Sequence, residues 1–314
     1  MIDGLILHHY DFSNFAEKVR LMLGFKSANW MSVEIPSIDP KPDYTVLTAG
    51  YRRTPALQVG ADVYCDTHLI ADMLEELMPE PSFFPAHDPQ CAQAKRAMAD
   101  ILSAWAESVW LWPAALFITG ENAARFPEAF HHDRARLHGK KPVPVARVQA
   151  AAGRYRPQWE IQLGWLNDLL NDGSPYLGGA TPGLADICVY AVPWFVETVG
   201  GPSREIDQYP RVRAWMRRVV ELGHGVSDSM AAGAALEIAR AVSPRPVAEP
   251  KSCEPELRIG QRVEVYPLTE RSPAYGELVN LSDTRITIAH VDRRCGQVHV
   301  HFPRLGYGLR AVSD

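Results

Sequence analysis

The hydrophobic rhythm changes twice along this chain, and each change limits what can fold there. Up to about Met78, short stretches of period two alternate with stretches of period 3.6. From Asp88 to about Val242 only the helical period remains, and from Leu257 onward only strand-like alternation is left. Side chains alternate across a strand but recur every three to four positions on a helix face, so one layer type cannot serve all three regions. The expectation is an α/β domain at 1–80, an all-α helical domain at 88–242, a Pro-rich linker at 243–256 (SPRPVAEPKSCEP within it) and a small β-barrel-like module at 257–314. A length of 314 residues by itself suggests about two domains. The third unit is therefore a small addition.

Within the first unit, Leu5–Tyr10 reads as a strand, Asn14–Phe25 as a helix and Trp30–Ile35 as a second strand. A loop carrying Pro36, Pro40 and Pro42 leads to a short helical patch near Tyr44–Leu47. Ala56–Val59 and Asp62–Tyr64 flank Gly60-Ala61, a two-residue connection suited to a hairpin. Asp66–Met78 is a helix ended by Pro79, Pro81 and Pro85.

In the second unit Asp88 caps a long helix running through Trp112. A further helix spans about Val145 to Leu170, Gly183 with Asp186 marks another helix start, Tyr209-Pro210 opens Arg211–Glu221, and an Ala-rich helix covers about Ser227–Val242. Gly120–Pro144, polar and rich in histidine, shows no assignable period. The last unit alternates over Gln261–Tyr266, Tyr275–Leu281, Arg285–Val291 and Gln297–Phe302, giving four or five strands.

Composition narrows the function classes. With 46% apolar and 22% charged residues and a net charge of −5, the chain has an ordinary core and no footprint for nucleic acid or an anionic membrane. The C-terminal unit, with eight arginines against six carboxylates, is too balanced for a nucleic-acid surface. Five scattered cysteines without C-x-x-C spacing indicate neither a zinc site nor a disulfide framework, and reduced thiols in the cytoplasm are expected. The N-terminus lacks the features of a secretory signal, and the longest apolar stretch, Val109–Ile118, is too short to span a bilayer.

Chemistry concentrates at LILHHYDFSNFAEKVR, Leu5 to Arg20. A strand passing through a tight turn into a helix exposes backbone N–H groups and a partial positive charge, and Ser13 stands at that helix start. The bland alternative is that Ser13 is only an N-cap.

Two more motifs extend the pattern. Ser13-Asn14-Phe15-Ala16-Glu17-Lys18-Val19-Arg20, Arg53-Thr54-Pro55-Ala56-Leu57 and Asp66-Thr67-x-x-Ile70 together resemble the cytosolic glutathione S-transferase family, in its serine-type bacterial form. GLADI (183–187) and YPRVRAWMRRV (209–219) resemble that family's later helix motifs, so the likeness covers about residues 1–225.

The resemblance implies a thioredoxin-like N-terminal domain followed by an all-α bundle, the glutathione transferase fold, with a C-terminal β extension outside it. It implies glutathione as co-substrate without a metal, a small electrophilic and apolar acceptor, and a homodimer. Ser13 would stabilise the thiolate, with Tyr10 as the alternative hydroxyl. Asn14, Phe15, Thr54, Pro55 (cis in the family), Asp66 and Thr67 would hold the peptide, and Arg52 or Arg53 its glycyl carboxylate. Asn14 stands where the family has proline, and Asp66-Thr67 where it has Glu-Ser. With no cysteine in Phe12–Phe15, thiol–disulfide chemistry is disfavoured.

Physical chemistry allows the serine role. Lowering a thiol pKa by about 2 units takes roughly 2.7 kcal/mol, and one charge-assisted hydrogen bond supplies about 1.5–3 kcal/mol. For the acceptor pocket the candidates are Trp105, Val109 and Trp112 on the first long helix; the same stripe also reads as plain core. His131, His132, His138, His299 and His301 read as solvated side chains rather than metal ligands. Two further readings stay open: a binding or scaffold protein acting through its β module, and a glutathione-dependent isomerase.

Overall fold

The computed structural model describes residues 4–247 and 256–312; the expectations for 248–255, including most of the Pro-rich linker and Cys253, lie outside them. In chain order the first unit runs β1 (Leu5–His9), α1 (Asn14–Phe25), β2 (Asn29–Glu34), α2 (Pro42–Leu47), β3 (Ala56–Val59), β4 (Asp62–Cys65) and α3 (Thr67–Leu77). β1 is parallel to β2 and antiparallel to β3, which hairpins onto β4. Every residue of β1 is buried, because helices cover one face and α2 and its loop the other.

The helical layer comprises α4 (Pro89–Trp105), a π-helical turn (Ala106–Trp110), α5 (Leu111–Glu121), α6 (Glu128–Leu137), α7 (Val145–Leu169), α8 (Leu184–Gly200), α9 (Arg204–Asp207) and α10 (Pro210–Val220). The long first helix does not stop at Trp112. Pro113 removes the N–H that would have bonded the Val109 carbonyl, yet Gln162 Nε2 reaches that carbonyl at 3.3 Å while Gln162 Oε1 accepts from Trp105 Nε1 at 2.9 Å. A neighbouring side chain thus satisfies the group the proline strands, and the helix continues to Glu121. The whole run Pro89–Glu121 is 33 residues, with a stretch of mean hydropathy 1.4, long and apolar enough to cross a bilayer by length and composition. Here it packs against α7 and α8. The segment Gly120–Pro144, unassigned from sequence, supplies α6.

Asp186 organises the bundle. Its Oδ2 accepts from the Gly183 N–H (3.1 Å) and its Oδ1 from the Leu177 N–H and Trp215 Nε1 (2.8 Å each). One carboxylate caps α8 and ties it to α10.

The expected Ala-rich helix over Ser227–Val242 is corrected. Val226–Ser229 is a strand, β5, which adds parallel to β2, and only Ala232–Ala241 is helical (α11). Helical spacing of the alanines hid a four-residue strand that exists only because the β2 edge is there to receive it.

The C-terminal unit forms β6 (Arg262–Pro267), β7 (Ala274–Leu281), β8 (Arg285–Asp292), β9 (Gly296–Pro303) and β10 (Tyr307–Ala311). β6 to β9 meander, and β10 returns to pair with β6. The extension continues the sheet of the first unit. β9 lies parallel to β4, and one sheet runs β10-β6-β7-β8-β9-β4-β3-β1-β2-β5. At the seam His301 sits between Asp62 Oδ1 (2.9 Å) and Thr287 Oγ1 (3.0 Å) and stacks on Tyr64. The expectation of solvated histidines fails here, since His299 and His301 are both buried. Their alternation faces them into the β4–β9 junction, and β4 is no longer an edge strand.

Candidate active site

A cleft of about 640 Å³ opens where the first unit, the helical layer and the β extension meet. Ser13 lines it. The chain leaves β1, turns through a Ser13 N–H to Tyr10 carbonyl bond (3.2 Å) and starts α1, whose Ala16 N–H donates to Ser13 Oγ at 3.2 Å. Ser13 is therefore an N-cap, and capping uses only its acceptor capacity; the O–H proton remains free to donate. Beside it Asn14 Nδ2 is buried without a hydrogen-bond partner, an orphaned donor at the cleft wall.

Thr54 lines the cleft just before the β3 ladder, whose register with β1 begins at His8–Ala56, and the Thr54–Pro55 peptide is cis. Asp66 caps α3 at φ +79°, a region costly for a residue with a Cβ and typical of functional sites. Its Oδ1 accepts from the His68 N–H at 3.1 Å. Thus Ser13, Asn14, Phe15, Arg53, Thr54 and Asp66 share one cleft, as does Tyr10, while Pro55 and Thr67 are buried just behind it.

The two arginines are engaged elsewhere. Arg52 grips Asp133 with two bonds (2.7 and 2.8 Å) and pairs with Asp39, and Arg53 pairs with Glu270 at 2.9 Å. The cation that sequence reading missed is Lys41, between Pro40 and Pro42. It is 3% exposed and lines the cleft, donating to Thr54 Oγ1 (2.9 Å) and the Arg52 carbonyl (3.1 Å). Among the described residues no carboxylate pairs with it. Burial, with Arg134 and Arg52 nearby, brings its pKa down to about 7.

On the opposite wall Lys18 is buried against Glu107 of the π turn, which also accepts from Ser103 Oγ (3.0 Å). Burial opposes both charges, but each holds the other ionised: the Lys18 pKa is raised and that of Glu107 lowered. This pair bolts α1 to the helical layer.

The acceptor-pocket expectation is corrected for two of three residues. Trp112 lines the cleft with Ala104, Ser108, Leu111, Ala115 and Thr119. Trp105 instead stacks on Trp110, which stacks on Trp159, and Val109 is exposed on another side of the helix. Counting through the π turn as though it were α-helix selected the wrong stripe. Tyr10, Phe12, Phe126 and Phe130 complete the aromatic outer half, and Arg134 Nη2 donates to the Tyr10 hydroxyl at 3.2 Å. Among the described residues no group of three or more His, Cys, Asp or Glu could hold a metal ion.

The N-terminal domain of glutathione S-transferases matches residues 7–82 and their C-terminal domain residues 149–218. A GST-like protein from Pseudomonas syringae is 36% identical, with a TM-score of 0.79, over 99% of this chain and 100% of its own. A glutathione S-transferase from Rhodospirillum rubrum F11 (21% identity, TM-score 0.53) and FzlA from C. crescentus (22%, 0.52) share the fold over 69% of this chain and 87% of theirs. No curated protein matches the chain.

Proposed function

The chain belongs to the glutathione S-transferase family, and from that premise we propose that it binds glutathione in the cleft and adds its thiolate to a small electrophile. One observation carries the reading. The free hydroxyl proton of Ser13 and the orphaned Nδ2 of Asn14 converge on the start of α1, in the same cleft as Thr54 and Asp66.

In this reading Ser13 O–H donates to the sulfur, and the α1 N-terminus adds a smaller favourable field. Thr54 pairs its backbone with the cysteinyl residue as an added strand would. The α3 N-terminus at Thr67 holds the γ-glutamyl carboxylate, while the Asp66 carboxylate faces the ammonium. Lys41 takes the glycyl carboxylate that Arg52 and Arg53 are not free to take. The reaction then needs no metal: the thiolate attacks the electrophilic carbon, and its bond to carbon forms as the leaving group departs or a π bond opens.

The aromatic outer half of the cleft favours an apolar acceptor. A homodimer is part of the proposal, supported by the exposed stripe Ile161, Trp165 and Leu169 on α7. A cytoplasmic setting is supported by the free thiols of Cys65, Cys91, Cys188 and Cys295.

The test is retention on immobilised glutathione together with conjugation of a generic aryl halide, both measured on the full chain. Retention and turnover that Ser13→Ala greatly reduces support the proposal. A wild-type protein that neither binds glutathione nor turns over would return the chain to a scaffold role. Product of unchanged mass would make it an isomerase.

A further inference from the structure

The β extension lines the cleft with Thr269, Glu270, Pro303, Leu305, Gly306 and Tyr307, and of these Tyr307 bonds Asp66. Tyr307 opens β10 after a tight turn at Gly306, where φ is +82° and the Gly306 carbonyl accepts from the Leu268 N–H at 2.9 Å. Its ring is 6% exposed and packs on Phe302 and Tyr51. Its hydroxyl lies 3.0 Å from Asp66 Oδ2, 2.5 Å from the Tyr51 hydroxyl and 3.4 Å from Arg53 Nη1.

Proton counting orients the chain of bonds. A carboxylate only accepts, so the single Tyr307 proton goes to Asp66, and Tyr51 must donate to the Tyr307 oxygen. Arg53 donates there as well. Asp66 is then fixed on both oxygens, by Tyr307 on Oδ2 and by its own His68 N–H on Oδ1, in a backbone conformation that would otherwise relax.

The extension is strapped where this matters. The Arg52 N–H donates to Ser272 Oγ (2.9 Å), the Tyr275 N–H to the Ala49 carbonyl (3.0 Å), and Glu270 holds Arg53. Both the seam and these straps keep the β9–β10 turn at the cleft rim.

We propose that the C-terminal β extension is a wall of the glutathione site and that Tyr307 is a positioning residue, aiming Asp66 at the γ-glutamyl ammonium and so setting preference for the complete tripeptide. The proposal rests on the glutathione reading above. It gives the extension a role at the peptide's γ-glutamyl end, remote from the sulfur.

Calorimetric binding of glutathione and of the dipeptide Cys-Gly, which lacks the γ-glutamyl residue, tests it on the full chain. Tyr307→Phe is expected to weaken glutathione about tenfold, the scale of one hydrogen bond to a charged group, and to leave Cys-Gly within twofold. At saturating glutathione kcat stays within twofold of wild type, so the loss falls in KM. Tyr51→Phe, which removes only the donor behind Tyr307, gives a smaller loss of the same preference and serves if Tyr307→Phe does not fold.

Unchanged preference in the folded variants, or equal weakening of both ligands, overturns the positioning role while the glutathione reading stands. A wild-type protein that binds neither ligand overturns that reading and this role with it.

Discussion

Replacing Ser13 by alanine separates the two jobs of one side chain. As the α1 cap, Ser13 Oγ accepts the Ala16 N–H at 3.2 Å, and losing a serine cap costs about 1 kcal/mol. For a chain of 314 residues that lowers the melting temperature by about 1–2 °C, a small change. As donor to a bound thiolate, the same oxygen contributes about 1.5–3 kcal/mol, or roughly 1–2 pKa units. If bound glutathione titrates near 6.5, about 2 units below a free thiol, alanine moves it to about 7.6–8.7 and cuts the thiolate population at pH 6.5 by roughly 7- to 80-fold. The assay is a pH titration of the thiolate ultraviolet absorbance of the glutathione complex, run beside thermal melts. Ser13→Thr keeps both the cap and the donor and should titrate like wild type. The reasoning fails if Ser13→Ala lowers the melting temperature but leaves the thiol pKa in place. A shift seen only in Tyr10→Phe would hand the role to the hydroxyl that Arg134 holds.

Three other expectations follow from the same structure. Lys41, with a pKa near 7 in the free protein, must be charged to hold a carboxylate, so binding S-methylglutathione at pH 8 should take up close to one proton. Calorimetry in buffers of different ionisation heat measures this; Lys41→Met should abolish the uptake, Lys41→Arg should bind without it, and an unchanged value in either variant refutes the assignment. His8 and His9 are held neutral by burial, with pKa values lowered to about 4 against 6.5 when unfolded. Between those values the unfolded chain binds more protons, so stability should fall as pH drops from about 6.5 to 4, by up to about 3 kcal/mol per histidine. Denaturant melts of wild type and His8→Gln across that range should show a shallower slope in the variant. Finally, Trp112→Ala should raise KM for the acceptor with little effect on glutathione binding. Trp105→Ala should instead cost about 3 kcal/mol of stability and leave acceptor KM alone, which steady-state kinetics and melts distinguish directly.

Local chemistry made much of this protein legible from its residues alone. Period-two and period-3.6 stretches in the first 80 positions predict the order of β1 to α3 because each element carries its own apolar face. Ser13, Asp66 and Asp186 announce helix starts through short-range caps that need no distant partner. What depended on residues far apart in the chain stayed hidden. Pro113 reads as a helix end until Gln162 takes the carbonyl it strands, and one π turn rotates the lining face from Trp105 to Ser108 and Leu111. Val226–Ser229 becomes a strand only beside β2. The placements of Lys41 and Tyr307 at the cleft have no local signature, since burial keeps Lys41 apart from any acid partner among the described residues and a sheet seam carries Tyr307 some 240 positions back to Asp66. Caps and periodicity are written within a few residues; the desolvation and pairing that shape this cleft arise only when the three units close on one another.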